Sequence, residues 1–213
     1  MAAHPYPIEL NLEGRTVLVV GLGAVGRRKA AGLAAAGARV VGVDPDPDPD
    51  PAAAAGDRIE VRAEEYRAAH LEGVSLAFAA ATAAVNRRVV ADARRAGVWV
   101  CSASEPGAGD FTVPAVWRDG PLTLTVATAG ASPALASALR DRAARALGPA
   151  ASGLAGLLAE LRPEVLARLG DPSARRRLLA DWADPRWLDR WQADGPEAVR
   201  RALVQALDDV STC

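Results

Sequence analysis

The chain has 213 residues, 50% hydrophobic and 4% aromatic, with a formal net charge of −1. That length fits one main domain with a smaller appendage, and Ala, Val and Leu must fill its core. The near-neutral charge gives no reason to expect nucleic acid or a membrane surface as partner. All 25 basic residues except Lys29 are arginine, a bias that suits either a GC-rich genome or a polyanionic ligand. Cys101 and Cys213 offer no disulfide framework and no C-x-x-C pair. His4 and His70 lie far apart, so no metal site is expected. With no signal peptide or membrane-spanning run read from the sequence, a cytoplasmic protein is expected.

In chain order, residues 8–12 read as a short edge strand. Residues 16–20 are an apolar β-branched run that leads into Gly21-Leu22-Gly23-Ala24-Val25-Gly26. A helix-like run follows, then a second apolar run over 38–43 that ends at Asp44. Strand, glycine turn, helix, strand and acid in this order are the dinucleotide-binding fingerprint. Gly21 allows a tight turn, Gly23 lets the backbone approach a pyrophosphate, and Gly26 lets helix and strand pack closely. The helix start, with Ala24 and Val25, presents N–H groups and a positive dipole end to phosphates. Asp44 can accept hydrogen bonds from a ribose 2′-hydroxyl and would repel a 2′-phosphate, which argues for NAD over NADP. A flavin, a nucleotide-sugar site or an empty Rossmann domain are the alternatives.

The Asp-Pro repeat over 44–51 cannot be helix or central strand, because Pro fixes φ and removes donors. It is read as an extended loop beside the cofactor's adenosine end, either tuning specificity or merely tolerated. Residues 58–62 predict a strand and 63–71 a short helix. Residues 74–82 form a continuous apolar run, as in a buried parallel strand. Its C-terminal end near Thr82 should face the nicotinamide, because ligands in open α/β sheets sit beyond the strand C-termini. Residues 85–96 predict a helix, with Asn86 placed to cap or to touch cofactor, and 98–101 a further strand. The alternation argues a parallel, doubly wound sheet.

Two strands, 111–117 and 122–128, flank a Gly-Pro turn and predict a hairpin. A helix follows from Pro133 to 147, with Ser132 as N-cap and Pro133 at the first helical position. Hairpin plus helix is too little to fold alone and must pack on the first domain or on a second copy. Residues 150–213 predict three or four short helices, broken near Pro163, Pro172, Pro185 and Pro196. The expected division is 1–110, 111–149 and 150–213.

The chain resembles the precorrin-2 dehydrogenases of siroheme biosynthesis, which also form the N-terminal part of siroheme synthases. Four stretches carry the resemblance: the glycine loop running on to Arg27-Arg28-Lys29; Ala79-Ala80-Ala81-Thr82 with Val85-Asn86; Phe111-Thr112-Val113-Pro114-Ala115; and Thr128-Ala129-Gly130-Ala131-Ser132-Pro133-Ala134-Leu135-Ala136 with Arg140 after it. It covers roughly residues 8–147, and the 150–213 tail matches only in character.

The resemblance implies NAD-dependent oxidation of precorrin-2 to sirohydrochlorin. In some members it also implies insertion of Fe²⁺. It further implies a homodimer built largely by the segment at 111–147. One departure matters. The family has N-V-x-D-x-P ahead of the Phe; here Ser104 stands at the Asp position, in Cys101-Ser102-Ala103-Ser104-Glu105-Pro106. A hydroxyl cannot serve as a carboxylate base near neutral pH. Three readings stay open: the carboxylate is dispensable, Glu105 (or Asp110) substitutes, or activity is lost and the chain only binds NAD or tetrapyrrole. The tetrapyrrole carries many carboxylates, so Arg118, Arg140, Thr128 and Ser132 are its candidate ligands. The same residues read equally as turn, ion-pair and cap residues.

Overall fold

A computed structural model of the chain describes residues 5–47 and 56–211. Asp48 to Pro51 of the Asp-Pro repeat, His4 and Cys213 lie outside the described residues. The chain forms two compact units, Met1–Val113 and Pro114–Cys213. The expected boundary at 149 falls inside the second unit, one residue past a kink at Gly148.

The first unit is a five-stranded parallel sheet in the order β3-β2-β1-β4-β5. Its strands are β1 (Thr16–Val20), β2 (Arg39–Asp44), β3 (Ile59–Ala63), β4 (Leu76–Ala79) and β5 (Trp99–Ser102). Helix α1 (Ala24–Ala35) joins β1 to β2, and α2 (Ala83–Ala96) joins β4 to β5. The strands are Val- and Ala-rich because both faces are covered. Leu18 and Val20 of β1 pack with Val89, Val90 and Ala93 of α2 on one face. Val17 and Val19 pack with Ala30 and Ala34 of α1 on the other. The strand order doubles back between β1 and β4, and the crevice beyond their C-terminal ends is the ligand position for such a sheet.

Three sequence expectations are corrected in this unit. Residues 8–12 are not a strand: only Leu12 is buried, while Ile8 and Leu10 stay exposed with no strand beside them. Residues 63–71 hold only a 3₁₀ turn, Ala68–Leu71. The chain there stays extended because Tyr66 plunges into the core, donating its hydroxyl to Asp92 (3.2 Å), while His70 Nδ1 accepts the Arg67 N–H (3.1 Å). Phe111 is no hairpin residue: it packs edge-on against Phe78 with ring centroids 5.4 Å apart.

The second unit opens with an antiparallel hairpin, β6 (Ala115–Asp119) and β7 (Leu122–Val126), closed across Gly120-Pro121. Helix α3 (Pro133–Arg168) follows and kinks at Gly148, where φ 64° and ψ 179° break the helical path. Pro133 opens it behind Ser132, whose Oγ accepts the Leu135 N–H at 3.1 Å. Pro163 does not end it, contrary to expectation. Leu157, Leu161 and Val165 bury one stripe across the proline and offset the lost backbone bond. Helices α4 (Pro172–Trp182), α5 (Arg186–Asp194) and α6 (Pro196–Ser211) close a core around Trp182, Trp187 and Leu203. Among the described residues no helix is long and apolar enough to cross a membrane.

Candidate functional site

The crevice is bounded by the loops after β1, β4 and β5. Gly21 has φ +90°, and a Cβ there would lie 2.5 Å from the Ala81 nitrogen and 2.6 Å from the Ala80 carbonyl. The loops after β1 and β4 therefore touch backbone to backbone. A Cβ at Gly26 would run into the Gly21 carbonyl oxygen, so α1 starts against the turn it leaves. Gly23 differs: it has φ −62°, and a Cβ there would meet nothing within 4 Å. The space beside it is open, so backbone can approach a ligand there. Gly23 precedes α1 without any side-chain cap, and Ala24 and Val25 are exposed. Thr82 likewise precedes α2 without capping it. Two helix starts thus offer N–H groups and dipole ends beside one crevice, the chemistry a pyrophosphate requires.

Asp44 ends β2 with Oδ2 2.6 Å from the Leu22 nitrogen and Oδ1 3.0 Å from that of Asp46, both N–H groups donating. The carboxylate pins the glycine turn to β2. Its remaining lone pairs can still accept ribose hydroxyls. A dinucleotide thus fits the residues present: a turn that excludes side chains, open amides and an acceptor at the end of β2.

Beyond β4, Asn86 is 1% exposed and fully engaged. Its Oδ1 accepts the Ala81 N–H (2.9 Å), and its Nδ2 donates to the Ala81 carbonyl (3.1 Å) and to Ser104 Oγ (3.0 Å). Beside it, Arg87 pairs with Glu105 at 3.2 Å. Consecutive residues of α2 therefore hold consecutive residues of the loop after β5. Ser102 Oγ accepts the Glu105 N–H at 3.2 Å, and the Ala103 N–H reaches the Ala79 carbonyl at 2.9 Å. Asp110, the other nearby carboxylate, accepts the Val100 N–H at 2.9 Å and braces β5.

Cys101 lies buried on the α1 face. Burial raises its thiol above the ordinary value, against the opposing Lys29 ammonium. Lys29 itself sits 5.3 Å from the Phe78 ring centroid.

In the second unit, Thr128 Oγ1 donates to the Ser132 carbonyl and accepts the Ser132 N–H, both at 3.1 Å. Between them Ala129 takes φ 50° and Gly130 φ 85°. Arg140 bonds Asp141 (2.6 Å) and the Val116 carbonyl (3.4 Å), tying α3 to β6. Arg118 on β6 is exposed, and no side-chain partner is found for it among the described residues. The glycine loop, Asp44, Thr82, Asn86, Ser104 and Glu105 thus belong to the first unit, and Arg118, Thr128, Ser132 and Arg140 to the second. Sequence reasoning missed Ser102, Arg87 and the Ala81 backbone. Only the adjacency of Asn86 and Arg87 to a glycine-led crevice could have signalled them.

A family model described as a putative NAD(P)-binding domain matches residues 8–115, and one described as the sirohaem synthase dimerisation region matches residues 150–207. The chain belongs to the siroheme synthase N-terminal family. Within that family, the siroheme synthase of Gluconacetobacter diazotrophicus is 33% identical over 214 residues, covering 97% of this chain and 45% of the relative. That of Chromobacterium violaceum is 39% identical over 203 residues, covering 94% and 43%. The chain therefore spans less than half the length of these curated relatives. A solved structure described as SirC, precorrin-2 dehydrogenase, superposes with a TM-score of 0.74 at 23% identity, covering 96% of this chain and 100% of that one. That likeness shows the family's fold over nearly the whole chain. The dimerisation-region match on 150–207 takes in the C-terminal part of α3, then α4, α5 and most of α6.

Proposed function

We propose that the chain oxidises precorrin-2 to sirohydrochlorin with NAD⁺, in siroheme biosynthesis. The observation that carries this is the glycine-opened crevice between β1 and β4 in a chain that matches a putative NAD(P)-binding model and the sirohaem synthase dimerisation region. When bound, NAD⁺ supplies a hydride acceptor at its nicotinamide ring. The protein's share is binding and orientation. Gly21 and Gly26 keep the turn closed, and the amides of Ala24, Val25 and Gly26 receive the pyrophosphate. Asp44 takes ribose hydroxyls and disfavours a 2′-phosphate, so NAD is preferred to NADP. Thr82, in the loop after β4 just ahead of α2, is the residue taken to face the nicotinamide.

The oxidation removes one hydride and one proton from the macrocycle. Ser104 is a neutral hydroxyl, so the proton passes to water or to Glu105, whose carboxylate Arg87 holds at the loop after β5. Arg118, Arg140, Thr128 and Ser132 are the cations and donors that would meet the substrate's carboxylates. The unpartnered Arg118 is the strongest of them.

A homodimer belongs to the same reading. It is supported by the dimerisation-region match and by Leu135 and Leu139, which are 51% and 42% exposed one turn apart on α3. A cytoplasmic setting also belongs to it, and Fe²⁺ is a candidate second substrate.

The test is anaerobic mixing of the purified chain with precorrin-2 and NAD⁺, following sirohydrochlorin and NADH absorbance, then adding Fe²⁺ or Co²⁺. Stoichiometric NADH and sirohydrochlorin are expected. Metal-dependent change faster than the enzyme-free control would add chelation. NAD⁺ binding without turnover would replace the enzyme with a binding protein.

A further inference from the structure

β4 ends at Ala79, and the Ala80 N–H still donates to the Val20 carbonyl at 2.7 Å. Ala81, the next residue, lies past the ladder. One side chain satisfies its backbone instead: Asn86 Oδ1 accepts the Ala81 N–H at 2.9 Å, and Nδ2 donates to the Ala81 carbonyl at 3.1 Å. The Asn86 amide thus stands in for a missing strand. Its other Nδ2 hydrogen goes to Ser104 Oγ in the loop after β5. On the opposite side, the Ala80 carbonyl and the Ala81 nitrogen close against Gly21 in the loop after β1, where no Cβ would fit. A single amide therefore links all three loops that bound the crevice. It keeps no hydrogen for a ligand and is buried, whereas Thr82, Ala83 and Ala84 beside it are exposed. Asparagine is a poor helix former, so its place in the opening turn of α2 answers to these bonds and not to the helix.

We propose that Asn86 is a positioning residue for hydride transfer: it does not touch the cofactor, but it fixes the loop after β4 against the nicotinamide half of the dinucleotide. This rests on the dehydrogenase reading above. In that reading Asp44 and the start of α1 hold the adenosine and pyrophosphate separately. The two halves of the cofactor therefore respond differently to loss of the Asn86 amide. A slightly displaced nicotinamide loses transfer rate, because hydride transfer depends steeply on the distance and angle between donor and acceptor carbons. The other half keeps its contacts.

The test uses the full chain. ADP-ribose, which lacks the nicotinamide, is titrated as a probe of the adenosine half, and kcat is measured at saturating NAD⁺ and precorrin-2. Asn86→Ala is expected to lower kcat at least about tenfold, with ADP-ribose affinity within about twofold of the parent. Asn86→Asp keeps the volume and the acceptor for the Ala81 N–H, but its carboxylate has no hydrogen for the Ala81 carbonyl. It should lower kcat in the same way, again without moving ADP-ribose affinity.

If neither variant folds, amide hydrogen exchange on the parent decides. An Ala81 amide protected as strongly as that of Ala80 supports the proposal, and one that exchanges freely overturns it. Where the variants fold, an unchanged kcat in Asn86→Ala overturns the proposal and leaves the dehydrogenase intact. A loss of ADP-ribose affinity that matches the loss of kcat also overturns it, because the amide would then be holding the whole crevice and not the nicotinamide side. A parent chain that binds NAD⁺ yet never oxidises precorrin-2 overturns both.

Discussion

Gly23 and Gly26 stand three positions apart and are constrained by different things. The Gly21 carbonyl oxygen occupies the space a Gly26 side chain would need, whereas the space at Gly23 is open. Gly26→Ala is therefore expected to cost about 2 kcal/mol of stability, read from the urea midpoint, and to lose NAD⁺ binding with it. Gly23→Ala should cost about 1 kcal/mol or less while NAD⁺ affinity falls at least tenfold. Equal stability losses in the two variants would refute the distinction. At this scale the tight turn at Gly21 and the close approach at Gly26 were legible, since both depend on near neighbours in sequence. The bonds Asp44–Leu22, Asn86–Ser104 and Asp110–Val100 were not. Each joins a side chain to a partner that only the tertiary fold brings near, and no local pattern encodes it.

Elements were legible where burial dictated residue type. The continuous apolar runs of β1 and β4 and the cap at Ser132 read directly from sequence. Ser132→Ala should destabilise by about 1 kcal/mol through loss of the bond to the Leu135 N–H, checked by thermal unfolding. Legibility failed where one anchor overrode a pattern. The buried Tyr66 holds 64–67 extended despite their helical composition, and Phe111 is drawn into the first core instead of a strand. Pro163 is the reverse case, a breaker overridden by the buried stripe of Leu157, Leu161 and Val165. Pro163→Ala restores a backbone donor inside a helix that exists anyway. It should raise stability by about 2 kcal/mol, after allowing for the freer unfolded chain. An unchanged or lower denaturant midpoint would contradict this account.

Across the whole molecule the two units should fail at opposite ends of the pH scale. In the second unit, the Ser173 and Ala174 amides bonded to Asp171 hold its carboxyl below the ordinary 3.8. A lowered folded value gives stability that is present above the unfolded pKa and lost as pH falls through the folded one. Acid should therefore loosen α4, and Asp171→Asn, still able to cap, should flatten that dependence. In the first unit, burial and the neighbouring Asp92 raise the Tyr66 phenol well above 10.0. A raised value gives stability that is complete below the unfolded pKa and lost as pH climbs toward the folded one. Alkaline unfolding should then begin in the first unit, with phenolate absorbance appearing as it opens, and Tyr66→Phe should remove that limb. Four of the five tryptophans lie beyond residue 113, so fluorescence reports mainly the second unit.

Among the helices away from the crevice, α3 and α4 begin behind Ser132 and Asp171, whose side chains close their first turns; α1 and α2, like α5, begin without a side-chain cap. The first-turn amides of α1 and α2 are thus left for an anion to complete. Stability and affinity then compete for the same amides. Gly23→Asp would supply α1 with its own carboxylate, firming the empty protein while displacing the dinucleotide. Selection for a more rugged molecule would therefore pull this loop away from its ligand.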